Sequence, residues 1–553
     1  MSTHTREAAQ QTDPAGQHQL KRHVGVVGLL FASVGSIIGS GWLFGALDAS
    51  TAAGPAALIS WALGGVMILL IALTYAELGT MFPLSGGVVR FPHLAFGSFA
   101  SYTSGWITWV AVATTAPIEV EAALQYGTKY AAFTRTHTVN GEEVHTLTTL
   151  GYGSAVVLMA VFVVVNYYGI KWFARVNNAL VGWKIAVILL VIVAFLVTEF
   201  HGSNFTSQQF MPSGWHGVFE AIATSGVVFS YLGFRQGIEF AGETDNPRRN
   251  VPIAVVGSVL LTGLIYVALQ FAFIGAVDPG DLDKGWSNLS FENDFGPLAA
   301  IASLIGLSWL AVVLYADAII SPGDTGLIYT TATSRISYAM ARNGNAPQAL
   351  ARTTNRGVPL ISLIVTFVVG LVVFLPFPSW QQLVGFITSA TVLSFATGPL
   401  VLGALRRGLP DAERPFKVPG GHVIPLLAFW AANMVIYWST WPINWKLFVA
   451  VLIGLALLPV YHLLGNDVPD LDWRSGATWV LPWLGGLALI SYLGNYDGRG
   501  VLTFATSVPI LFVFSCLIYV LAVRSRLATE EIERHIENSR KESEQEEQEL
   551  ESA

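Results

Sequence analysis

Apolar residues run in long blocks between short polar stretches from about residue 24 to residue 523. The blocks lack the strict alternation of a half-buried strand, which argues against an outer-membrane barrel. A helix that crosses a bilayer core needs roughly 20 apolar residues. The pattern predicts fourteen such spans, near 24–48, 54–79, 98–127, 151–169, 174–198, 216–241, 252–276, 302–333, 359–376, 380–404, 422–441, 446–464, 477–494 and 501–523. Residues 1–23 are polar and carry no apolar stretch of their own, so the first block reads as a span rather than a cleavable signal.

Composition narrows the class further. Of 553 residues, 53% are apolar and only 12% are charged. An ordinary soluble domain carries about 25% charge. A polytopic all-α membrane protein is therefore expected, with the lipid bilayer as its solvent; a soluble enzyme and a disordered chain are excluded. A net charge of −7 excludes a nucleic-acid partner. Cys516 is the one cysteine, which excludes a disulfide framework and a cysteine-rich metal site. With a cytoplasmic N-terminus, 22 of the 29 Lys and Arg residues fall in inner segments and 5 in outer ones. Lys184 and Arg235 lie inside spans. Cytoplasmic loops carry the excess of basic residues, so both termini are expected in the cytoplasm and the protein in a plasma membrane. The bias is weakest around 465–476, where Asp467, Asp470 and Asp472 outnumber Arg474. The tail after about 526 is rich in Glu, Lys and Arg and reads as a solvated helix or a disordered end.

Two spans are not expected to be continuous. Span 1 contains Gly35, Ser36, Ile37, Ile38, Gly39, Ser40, Gly41, Trp42, Leu43, Phe44 and Gly45. Span 6 contains Phe229, Ser230, Tyr231, Leu232, Gly233, Phe234, Arg235, Gln236 and Gly237. Glycine tolerates unwinding, and unwinding frees backbone groups that lipid cannot satisfy. A single glycine-rich span is explained by close helix packing. Two of them, five spans apart and both mid-membrane, point instead to the binding site of an inverted-repeat transporter. N–H groups opening a half-helix attract a carboxylate; Ser36, Ile37, Gly39, Ser40 and Gly41 are the candidates. Freed carbonyls near Phe229, Ser230 and Tyr231, with Gly233 alongside, attract an ammonium group or a cation. A site offering both suits a zwitterion such as an α-amino acid.

With these features in view, the sequence resembles the amino acid–polyamine–organocation permeases over roughly residues 22–440. The matching stretches are Gly35–Phe44; Tyr75–Gly79 with Met81–Pro83 and Ser85–Gly87; Asn246–Pro252; Ser334–Arg335 with Tyr338–Gly344; and Arg414–Gly421. The resemblance implies a LeuT-type fold. Its first inverted five-helix repeat would cover 24–204 and its second 205–408, followed by additional helices over 409–525 and the charged tail 526–553. Residues 1–23 would form a cytoplasmic segment. It also implies secondary active amino acid transport. Members commonly lack the last two spans. They commonly have an acidic residue after the Gly-Phe of span 6, where this chain has Arg235. Together with Gly39–Phe44, that departure resembles the bacterial branch that includes aspartate–proton symporters.

Ionisable groups inside a membrane are costly and are functional candidates by default. Burial lowers a lysine's affinity for its proton, and Lys184 lies in mid-span 5. In some proton-coupled members a span-5 lysine sits where sodium-coupled relatives bind sodium, and Asn177–Lys184 resembles that segment. Lys184 is read as the proton-coupling group or as a structural partner of a span-8 aspartate. Arg235 offers a planar fork that fits a second substrate carboxylate and so selects aspartate or glutamate; the alternative is pairing with Glu239, Asp317 or Asp324. Asp317 and Asp324, seven apart, share a helical face. They hold a proton or cation, or neutralise Lys184 or Arg235, and Pro322-Gly323 between them suggests a kink or local opening. Glu119 and Glu121 in span 3 face apart, with Glu119 a candidate binding or gating carboxylate. Glu77 reads as structural. Trp42, Phe229, Tyr231 and Phe234 either close over substrate or simply pack, and His462 reads as a buried polar residue.

No Walker A loop, His-Glu-x-x-His, Cys-x-x-Cys or Gly-x-Ser-x-Gly elbow is present. No enzyme activity, metal or cofactor is expected. The expected function is proton-coupled symport of an amino acid, acidic in type, by alternating access around spans 1 and 6. An exchanger of the same fold and a non-transporting amino acid sensor are the alternatives.

Overall fold

The computed structural model describes residues 24–84, 86–139, 142–168, 170–291, 295–342, 345–354, 358–463 and 471–552. The segment 1–23, with Arg6, Lys21 and Arg22, lies outside the described residues. So do Ser85, Asn343, Gly344, Arg356, Asp467 and Asp470, and the side chains of Lys171, Arg175, Arg342, His462 and Arg540.

The chain is almost entirely helical. It runs through α1 (Val26–Ile37), α2 (Gly41–Ala53), α3 (Ala57–Met81), α4 (Gly87–Phe96), α5 (Ser98–Ala113) and α6 (Thr115–Gly127). After a hairpin come α7 (Thr149–Tyr168), α8 (Ile170–Thr198), α9 (Gly214–Thr224), α10 (Gln236–Glu239) and α11 (Pro247–Ala276). Then follow α12 (Pro297–Leu304), α13 (Ser308–Arg342), α14 (Leu360–Val373), α15 (Trp380–Phe395) and α16 (Thr397–Gly408). The last five are α17 (Val423–Trp438), α18 (Trp441–Leu463), α19 (Ala477–Leu493), α20 (Phe504–Ser525) and α21 (Thr529–Ser552).

Among the described residues, nine helical stretches are long and apolar enough to cross a membrane. There are ten if the bent pair Gly214–Thr224 and Phe229–Glu239 counts as one span. Val26–Ile37, Leu360–Val373, Val423–Trp438 and Ala477–Leu493 are shorter apolar helices. The hairpin was not foreseen: β1 (Thr134–Val139) pairs antiparallel with β2 (Glu142–Leu147), Thr134 opposite Leu147.

Local chemistry explains the interruptions. Pro117 and Pro399 are the third residues of α6 and α16, directly after the steps at Thr114 and Ala396. A first-turn proline loses no helical bond, because that N–H is free anyway. Pro322 behaves otherwise. Of the kink or local opening expected at Pro322-Gly323, the opening does not form: α13 is helical throughout its 35 residues. One missing bond is outweighed by the turns on either side and by packing of α13 along α6 and α5.

Long α11 lies against α3 and α1, and α15 against α5. α19 and α20 pack on each other and on α17. Polar contacts tie this group: Trp483 Nε1 donates to Asn433 Oδ1 (2.9 Å), and Asn433 Nδ2 donates to Ser515 Oγ (2.9 Å). Glu77 has the structural role expected of it. It is buried between Arg406 and Arg414 and accepts the Val418 N–H at 2.7 Å.

The tail departs from the expectation of a wholly solvated end. Leu527 N–H donates to the Ala95 carbonyl (3.0 Å), Thr529 Oγ1 donates to the Gly408 carbonyl (3.1 Å), and Ile532 is fully buried. Ile532 and Ile536, four apart, give an otherwise charged helix one apolar edge, and that edge docks.

Candidate functional site

The chain gives up helical geometry at 38–40, between α1 and α2. Several of its freed backbone groups find side chains. Gly35 carbonyl accepts from Lys184 Nζ (2.9 Å), Ile37 carbonyl from the Tyr266 hydroxyl (3.3 Å), and Ile38 carbonyl from Thr325 Oγ1 (3.3 Å). Ser40 N–H donates to Glu119 Oε2 at 2.8 Å. This is the satisfaction of a broken membrane helix that lipid cannot supply.

The break in the second segment lies earlier than expected. Residues 225–228 are non-helical, and Gly226 has φ +82°, a left-handed conformation that glycine adopts without strain. Phe229–Arg235, expected to be unwound, forms a tight 3-10 helix leading into α10. The two arms are bent by 44°. Gly233 does not unwind the chain; it allows contact. A Cβ there would strike the backbone of Ser36 and Ile37, so the two interrupted segments touch at this glycine. Gly41 likewise faces Ser230 Oγ.

Beside this contact is a cavity. Ser36, Ile37 and Gly39 line it from the first break, and Phe229, Leu232 and Arg235 from the second. Glu119 and Thr325 complete its polar wall. The space is tight, with room for about one water, so a larger occupant enters only with side-chain or helix movement. Ser40, Gly41, Ser230, Tyr231 and Gly233 stand behind the wall. Ser40 Oγ accepts from Trp380 Nε1 (2.9 Å), and the Tyr231 hydroxyl turns away to donate to the Trp61 carbonyl (3.1 Å). Trp42 is fully buried and Phe234 packs on Tyr75 and Phe395.

Buried ionisable groups lie in the cavity wall and behind it, and they are paired differently. Lys184 is enclosed: its Nζ lies 2.6 Å from Asp324 Oδ2 and also donates to Thr325 Oγ1 (3.1 Å). Asp317 stands one layer away, accepting from Trp183 Nε1 and Ser321 Oγ, both at 2.8 Å. Glu119 keeps Oε2 on the Ser40 N–H, while its Oε1 has no hydrogen-bond partner among the described residues. Arg235, 1% exposed, has no hydrogen bond on any of its three guanidinium nitrogens among the described residues. Its nearest acid is Glu239, 3.6 Å away; Asp317 and Asp324 belong to the Lys184 side. Glu121 does not line the cavity, and neither of its buried oxygens has a hydrogen-bond partner among the described residues.

A cavity between two interrupted helices, with a carboxylate and an open guanidinium in its wall and a backbone N–H held behind that carboxylate, is suited to a small zwitterion. The family model described as amino acid permease matches residues 24–485. The chain belongs to the amino acid permease family. It is 38% identical over 527 residues to a glutamate/serine transporter of Bacillus subtilis (strain 168), covering 93% of this chain and 95% of that one. It is 34% identical over 507 residues to the aspartate–proton symporter of the same organism, covering 91% and 96%. A branched-chain amino acid permease from that organism is 27% identical over 463 residues, covering 81% and 94%. These relatives are transporters rather than enzymes.

The permease's cavity has walls that the sequence did not announce. Ala111, Val112 and Thr115 come from the α5–α6 junction, Tyr329 from α13, and Ile387 and Thr391 from α15. Small and hydroxyl residues on apolar helices carry no signal of their own. Pro117, marking the step beside Thr115, was the one available pointer.

Proposed function

We propose that this permease is a secondary active symporter that brings an acidic amino acid, aspartate or glutamate, into a bacterial cell with protons. The observation that carries the reading is Arg235: a guanidinium buried in the cavity wall with no hydrogen-bond partner among the described residues. A carboxylate is the ligand that fits such a fork. Identity to transporters whose names specify glutamate, serine and aspartate with a proton supports the same substrate class.

In this reading the substrate's α-carboxylate takes the Ser40 N–H now held by Glu119, and its side-chain carboxylate takes Arg235. Glu119 yields that N–H at least cost when it carries a proton, which ties proton uptake to loading. Lys184 and Asp324 form the coupling pair, with Asp317 behind them. A change in the charge of this pair reaches the Gly35 carbonyl, and hence the first break, through Lys184. Fourteen spans, with inverted repeats over 24–204 and 205–408, extra helices over 409–525 and both termini in the cytoplasm, supply the alternating-access frame. The bent pair and the four short apolar helices beside the nine longer candidates support that number.

Reconstituted liposomes with an imposed inward proton gradient test the reading. Aspartate accumulates above its external level, and a protonophore abolishes the accumulation. Trans-stimulated exchange without accumulation identifies an exchanger instead, and absence of flux a sensor.

A further inference from the structure

Arg235 and Glu239 stand one helical turn apart where the 3-10 segment enters α10. Arg235 Nη2 and Glu239 Oε1 are 3.6 Å apart, an ion pair without a hydrogen bond. Glu239 Oε1, like the guanidinium nitrogens, has no hydrogen-bond partner among the described residues. The pair is close but unmade. A guanidinium carries five N–H donors, and leaving a buried charge without bonded partners costs several kcal/mol. Such a group gains from any carboxylate that reaches it.

The two residues differ in what lies beyond them. Arg235 faces the cavity and is 1% exposed, whereas the Glu239 side chain is 15% exposed. Glu239 sits where Gly86, at the start of α4, donates its N–H to the Glu239 carbonyl (3.4 Å). Arg335, exposed on the far part of α13, is near enough to bear on the Glu239 charge. Tyr75 and Tyr329 lie within electrostatic reach of both Arg235 and Glu239. Arg235 thus has a cavity on one side and a carboxylate on the side that leads out past Arg335.

We propose that Arg235 serves two carboxylates in turn, the substrate's side chain in the cavity and Glu239 beneath it, making Glu239 the positioning residue that draws Arg235 off the substrate for release to the cytoplasm. This rests on the reading of Arg235 as the substrate-carboxylate ligand. With substrate bound, the guanidinium forks upward and Glu239 is left to Arg335. On release, Arg235 closes the remaining distance to Glu239. A substrate without a side-chain carboxylate does not recruit Arg235, so the exchange of partners operates on acidic substrates alone.

The test is Glu239→Gln in proteoliposomes, reading aspartate KM and maximal uptake rate. Loss of the competing charge lowers the KM, and loss of the pull on Arg235 lowers the rate, each by about five-fold or more, the lower end of typical site coupling. Glu239→Asp, with a shorter reach, shifts both in the same directions by a smaller factor and carries the test if the Gln variant does not reach the membrane. On an Arg235→Gln background, Glu239→Gln changes neither quantity further. A raised or unchanged KM with a lowered rate in Glu239→Gln, the pattern of a merely structural residue, overturns the inference. If Arg235→Gln alone leaves aspartate uptake intact, it is the reading of Arg235 that fails.

Discussion

Among the described residues, Lys184 and Arg235 are the most deeply buried basic side chains, and their surroundings are opposites. Lys184 is fully occupied by a carboxylate, a backbone carbonyl and a hydroxyl, all within 3.1 Å. Arg235 has one acid at 3.6 Å and no hydrogen bond among the described residues. A satisfied buried charge is a strut, because removing either partner leaves the other uncompensated. An unsatisfied one remains costly until something binds it. On the proposed function, the Lys184–Asp324 pair braces the first break and couples it to protons, and the Arg235 pocket is kept for a ligand.

Substitutions can break this contrast in order of size. Arg235→Glu reverses the charge of the open pocket, and uptake of radiolabelled aspartate falls below detection while detergent-solubilised protein still melts cooperatively. Lys184→Ala removes the strut: about 3–5 kcal/mol of stability is lost, with pH-driven accumulation. Lys184→Ala with Asp324→Ala recovers part of the melting temperature, because the orphaned carboxylate goes too. Gly233→Ala presses a methyl against the backbone of Ser36 and Ile37. Overpacking of that kind costs about 1–3 kcal/mol and weakens binding of acidic and neutral amino acids alike, which separates shape from charge. Thr325→Val deletes hydroxyl contacts to Lys184 and Ile38 but no charge. It shifts stability by about 1 kcal/mol and leaves preference for acidic substrates unchanged in competition assays.

The same two regions show what a sequence displays. Interrupted helices were legible because four glycines within residues 35–45 of span 1 and a glycine-flanked arginine in span 6 are rare in mid-membrane. Their detailed roles were less so. Gly233 was read as unwinding, yet it permits contact, and the positive φ belongs to Gly226, outside the stretch that attracted notice. Lys184 stood out by its charge, but its choice of Asp324 over Asp317 depends on packing between α8 and α13 that no local pattern encodes. Thr115 and Thr391 are ordinary hydroxyls until the fold brings α6 and α15 to one wall. The β1–β2 hairpin carried a usable signal, Asn140-Gly141 between two alternating runs, that the dominance of apolar blocks obscured.

Aspartate and asparagine differ by little more than a charge, which makes their binding to purified protein the most direct test of the open pocket. Titration calorimetry of both ligands against the natural protein and Arg235→Gln reads it. A charge-assisted bond is worth about 1.5–3 kcal/mol. The natural protein therefore binds aspartate at least about ten-fold tighter than asparagine, and Arg235→Gln binds the two alike. A preference for aspartate that persists undiminished in Arg235→Gln contradicts the account.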